Sequence, residues 1–160
     1  MDQFPQDIYT EPSPIDVNTL ANLGPLAPLA GIWTGSRGLD IKPKAEGPKK
    51  QAYVDRIELQ PVDPATNGPQ LLYGLRYHTH IKTEEEDTTF HDQVGYWLYE
   101  PATGLVLHSL TIPRGQSVLA GGAAKPDGSG LIVEARRGST EYGIVSTAFL
   151  EYAFRTDAFR

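Results

Sequence analysis

Along most of this chain apolar side chains recur at every second position, a spacing that fits a strand with one buried face. In the run 53–59, Tyr53, Ile57 and Leu59 share one face, against Val54, Arg56 and Glu58. The alternation is cleaner from Leu71 to Ile81, where Leu71, Tyr73, Leu75, Tyr77 and Ile81 oppose Arg76, His78 and His80. Phe90, Val94, Tyr96 and Leu98 then alternate with His91, Gln93, Gly95 and Trp97. A turn at 101–104 returns the chain as Leu105–Ile112. Further short runs follow at 115–120, at 131–136 and at 142–145. Short strands in such number, joined by short loops, predict an all-β antiparallel sandwich or barrel in one domain. A chain of 160 residues can bury roughly 70% of its unfolded surface and needs no disulfide to fold.

The N-terminal region follows a different rule. Residues 1–15 carry Pro5, Pro12 and Pro14 among polar groups and read as an extended arm. From Asp16 to Leu29, Val17, Leu20, Leu23, Leu26 and Leu29 recur every three positions. Asp16 is the expected N-cap, and Gly24, Pro25 and Pro28 stop any helix early, which leaves short helical turns acting as a plug or lid. Loops are expected at 63–69, at the acidic stretch 83–87 and at 125–130. The tail from Phe149 to Arg160 has no cap or turn and reads as cut off inside an element.

Composition removes several function classes. There is no cysteine, hence no thiol catalysis, zinc-thiolate site or iron–sulfur cluster. Twenty acidic against fourteen basic residues give a net charge of −6 with no basic stripe, so nucleic acid and anionic membranes are poor partners. Residues 1–7 do not read as a secretory signal, and no apolar run approaches the roughly 20 residues of a membrane helix. The cytoplasm is the default location. Neither a nucleophile elbow nor a phosphate-binding loop is present.

The segment Gly31-Ile32-Trp33-Thr34-Gly35, directly after Leu26-Ala27-Pro28-Leu29, resembles the opening of the nitrobindin family. The same order of features continues with Tyr53 and Glu58, Leu71-Leu72-Tyr73, the run from Phe90 and His91 to Gly95-Tyr96-Trp97, and Ile112-Pro113-Arg114-Gly115. The resemblance covers about residues 24–155. It implies an antiparallel up-and-down β-barrel of the calycin type, related to what were once called fatty-acid-binding-protein-like barrels. The interior would hold a flat apolar ligand, haem b in the best-known members, which bind nitric oxide and isomerise peroxynitrite. Residues 1–23 would be the arm and plug, and residues 24–160 the barrel. The family's iron ligand is a histidine near its C-terminus, and no histidine follows His108. The resemblance therefore implies either that the closing strands and that ligand are absent, or that this barrel closes differently and has no family-type iron ligand. The open sheet edges left behind would invite pairing into a homo-oligomer.

Within the resemblance, His91 matches a pocket residue on the side of the haem opposite the iron ligand. Its competing reading is a polar residue on the outer face. Phe90 and Ile112 match other pocket positions and are also ordinary core residues. Arg114 stands at the mouth, where its planar fork could hold a ligand carboxylate or simply be a solvated strand-end charge. Trp33, between Gly31 and Gly35, is expected to be buried at the closed end as a stability residue. His78 and His80 leave one strand face together and could chelate a metal with a carboxylate from 84–86, although a solvent-facing pair is the better reading.

Three functions compete: a haem-binding barrel, a carrier or sensor of a lipid-like ligand, and a haem-dependent peroxynitrite isomerase. The first two need only an apolar interior with a mouth. The third needs an iron ligand that the sequence does not display, so binding is favoured over catalysis.

Overall fold

A computed structural model describes residues 7–85, 87–125, 130–146 and 158–159. One nine-stranded sheet dominates, with strands β1 (Gly31–Lys42), β2 (Lys49–Asn67), β3 (Gln70–Thr83), β4 (Thr89–Glu100), β5 (Leu105–Ile112), β6 (Gln116–Ala124), β7 (Leu131–Arg137), β8 (Gly143–Ser146) and β9 (Ala158–Phe159). Their order is β1-β2-β3-β4-β5-β6-β8-β7-β9, with β6 also pairing β7. From β1 to β6 the chain runs up and down, each strand antiparallel to the next. Among the described residues only the short β7–β8 contact is parallel. This is the predicted all-β, barrel-type architecture.

The alternation in sequence becomes an inside and an outside. Leu59, Tyr73, Leu75, Tyr77, Val106, Leu110, Ala120, Val133 and Ala135 form one buried cluster. Burying each large member contributes about 1.5–3 kcal/mol. Val94, Tyr96 and Leu119, on the opposite parity, are exposed.

Helical spacing in the N-terminal region gives α1 (Thr19–Asn22) and a 3₁₀ turn at Gly24–Leu29. The predicted N-cap is displaced. Asn18, not Asp16, caps α1 by accepting from Ala21 N–H. The Asp16 carboxylate instead takes the Asn18 N–H and the Asn22 side-chain amide, bonds that lower its pKa. Leu23 and Leu26 are fully buried in the core. Thr19 donates to Val62 O at 2.7 Å and Tyr73 to Asp16 O at 3.0 Å. Gly24 has a φ of +52°, and the Tyr99 ring occupies the place a β-carbon would take. The plug therefore closes the end of the barrel where Leu59, Tyr73 and Tyr99 lie.

Two further expectations fail. The loop expected at 63–69 is mostly strand, since β2 continues to Asn67 and turns into β3 over Gly68 and Pro69. A register shift between Val62 and Ala65 absorbs Pro64. Pro61 is tolerated because β1 begins opposite Leu59, which leaves that side of β2 without a ladder to break. The second correction concerns Trp33, which is 52% exposed rather than buried. β1 pairs with β2 alone among the described residues, so only one neighbour flanks the indole. Its N–H donates to Leu29 O at 2.9 Å. Gly31 and Gly35 flank it on β1, and Gly35 is set against the Asp55 carboxylate. Of the tail 149–160 only 158–159 are described, and Glu86 and residues 126–129 of the expected loops also lie outside the described residues. No helix among the described residues is long and apolar enough to cross a membrane.

Candidate functional site

Register fixes which side chains meet at the unplugged end. β3 leaves the plug and arrives there at Thr83, β4 departs from Phe90, β5 returns at Ile112, and β1 arrives at Lys42. In that pairing Ile81 faces His91, Thr79 faces Gln93, Tyr77 faces Gly95 and Leu75 faces Trp97. His91 and Gln93 therefore share the face of the buried Leu75 and Tyr77. The outer-face reading of His91 is not what the register gives.

Phe90 would point the other way on a regular strand. A register shift between Ile81 and Lys82 places it at an extra residue, and a bulge turns its ring inward. The ring meets Tyr53 edge-on at 5.9 Å. Arg114 is exposed and donates to the Phe90 carbonyl at 2.7 Å. Ile112 is half-buried against the core cluster. Phe90, His91, Ile112 and Arg114 are thus collected at one barrel end, as β4 and β5 dictate.

A polar chain runs inward from His91. Its Nε2 lies 3.2 Å from Gln93 Oε1. Gln93 Nε2 donates to the Tyr77 hydroxyl, which lies 2.8 Å from His108 Nε2. Because Tyr77 Oη accepts from Gln93, its own proton is directed to His108, and Gln93 Oε1 takes the proton of His91. Tyr77 and His108 are 4% and 3% exposed. Burial pushes the Tyr77 hydroxyl up to about 12 against the opposing Gln93 hydrogen bond, and pushes His108 down to about 4. Both stay neutral through the physiological range. The His108 ring also stacks on Trp97 at 3.8 Å and 5°.

Sequence reasoning passed over His108, Tyr77 and Gln93 as site residues. The signal was available. Val106, His108, Leu110 and Ile112 share one parity, so the histidine stands in an otherwise apolar row. A histidine there has to be hydrogen-bonded.

His78 and His80 lie on the outer face with stacked rings 5.9 Å apart. Asp92 and Thr89 take their Nε2 atoms, at 3.0 and 2.7 Å. No group of three metal-ligating side chains occurs among the described residues. A groove of about 720 Å³ crosses the outer face over Val94, Tyr96, Ser117, Leu119 and Val145, and a smaller one of about 330 Å³ lies by Glu58, Arg76 and His78. Neither is lined by Phe90, His91, Ile112 or Arg114.

No curated protein and no solved structure matches the chain. A family model does, over residues 22–159, and its span takes in the plug from Leu23 together with every described strand. The chain belongs to the THAP4-like, heme-binding beta-barrel domain family.

Proposed function

We propose that this protein binds a flat apolar small molecule, with haem b as the first candidate, at the unplugged end of the barrel. The observation that carries the reading is His91, a half-buried imidazole on the inner face beside the Phe90–Tyr53 pair. The residues suit haem chemically. Phe90, Tyr53 and Ile112 supply an aromatic and apolar wall, and His91 supplies the imidazole that reaches the ligand. Its 3.2 Å bond to Gln93 is at the long limit of hydrogen bonding and is readily exchanged for a ligand contact. His108 serves differently. Its Nε2 is engaged by Tyr77 and its ring lies against Trp97, so it shapes the wall from behind. Bound haem would supply an iron centre able to take up small diatomic ligands. The protein's own part is to exclude water, orient the ring and present His91. The proposal is binding; the lipid-like carrier would use the same wall without iron.

Haemin titrated into the purified protein should saturate at one equivalent with a defined Soret band. Replacing His91 with Ala should weaken it about tenfold, the scale of one lost polar contact. Absence of stoichiometric binding overturns the haem reading. An unchanged affinity and spectrum in His91→Ala removes His91 from it.

A further inference from the structure

The unplugged end carries positive charge that the sequence does not advertise. Lys42 ends β1 on the same face as Gly38 and Tyr53. It is half-buried, with its Nζ 4.6 Å from the centre of the Phe90 ring. Arg114 reaches the same residue from the turn after β5, donating to its carbonyl at 2.7 Å. That bond uses one of five guanidinium N–H groups. Among the described residues neither Lys42 nor Arg114 pairs with a carboxylate. Lys42 also stands directly opposite Lys49. Like charges so placed destabilise a sheet. The protein as a whole carries −6, so two uncompensated cations converging on one aromatic residue are not a statistical residue of composition. An anion would offset the repulsion and fill the remaining donors.

We propose that Lys42 and Arg114 form an anion-binding rim around Phe90, which selects apolar ligands that carry a carboxylate. The apolar body lies against Phe90, Tyr53 and Ile112, and the carboxylate lies between the ammonium and the guanidinium fork. This rests on the site proposed above and adds the ligand's chemical class. Phe90 is the common anchor, since its ring lies under Lys42 and its carbonyl holds Arg114.

Two dyes that share a ring system separate the rim from the wall: anilinonaphthalenesulfonate, and its uncharged parent phenylnaphthylamine. The unaltered protein should bind both, and raising sodium chloride about tenfold should weaken only the sulfonate, since charge interactions are screened. Lys42→Gln with Arg114→Gln should weaken the sulfonate about tenfold, the size of one charge-assisted contact, and leave the parent within about twofold. Arg76→Gln, on the outer face, should change neither. Equal loss of both dyes, no loss of either, or no saturable binding of either would overturn the rim. Displacement of the sulfonate dye by haemin and by oleate then ranks the two carboxylate sources. Should haemin fail to bind while the contrast between dyes persists, the haem reading falls and the rim stands.

Discussion

Trp97 and His108 face each other across β4 and β5 with rings 3.8 Å apart and parallel within 5°. The imidazole is only 3% exposed, and its desolvation depresses its pKa to about 4.

The depression has a sign in stability. The unfolded histidine takes up a proton near its ordinary value of 6.5, whereas the folded one resists until about 4. Above pH 6.5 the group contributes no pH dependence, and between 6.5 and 4 it destabilises the fold progressively as pH falls. The full loss is roughly 3 kcal/mol at 1.36 kcal/mol per unit. His108→Leu should therefore be less stable than the parent at neutral pH, because Tyr77 loses its acceptor, but should show a shallower decline in urea midpoint from pH 6.5 to 4. Parallel declines would show that His108 titrates normally in the fold.

The direction of hydrogen bonding from Gln93 to Tyr77 to His108 fixes a tautomer. His108 should carry its proton on Nδ1 and His91 on Nε2, which imidazole nitrogen shifts in labelled protein report. Gln93→Glu cannot donate to Tyr77, so the phenol proton turns to the carboxylate and His108 Nε2 becomes the donor. A His108 spectrum indifferent to this change would break the chain at Tyr77.

Much of this was readable from the chain. The period of two predicted β2 to β7, and one parity of β3 correctly placed Leu75 and Tyr77 inside and Arg76 and His78 outside. Features set by pairing rather than by periodicity were not. The bulge that turns Phe90 inward depends on the β3–β4 register, and the opposition of Lys42 and Lys49 depends on that of β1 and β2. Trp33 misled because Gly-x-Trp predicts a local backbone, whereas burial requires a neighbour on the far side of β1. His108 was legible from its apolar row, but its partners lie on other strands.

The exposure of Trp33 has a measurable consequence. Its removal costs one hydrogen bond to Leu29 and partial packing, so Trp33→Ala should lower stability by about 1 kcal/mol or less. Leu75→Ala, fully buried in the same sheet, should cost about 2–5 kcal/mol. If chemical denaturation gave comparable losses, the indole would be covered in solution.

Gly95 lets β4 and β5, which carry part of the polar chain, lie close together. It lies opposite Tyr77 on β3 and Leu110 on β5. A β-carbon there would meet the Ser109 carbonyl oxygen at 1.9 Å, and a backbone oxygen in a paired strand cannot swing aside. Gly95→Ala must push β5 from β4, and because Trp97 and His108 sit two residues away in each strand, their stack should open. The expected cost is about 2–3 kcal/mol, as for overpacking. It should come with a rise in the His108 pKa as water enters. Gly104→Ala is the control. At φ +74° it strains the β4–β5 turn, but no atom lies within 4 Å of its β-carbon. It should cost about 1 kcal/mol while leaving the His108 titration unchanged. If both variants lose stability without moving that titration, the strand spacing at Gly95 does not set the environment of His108.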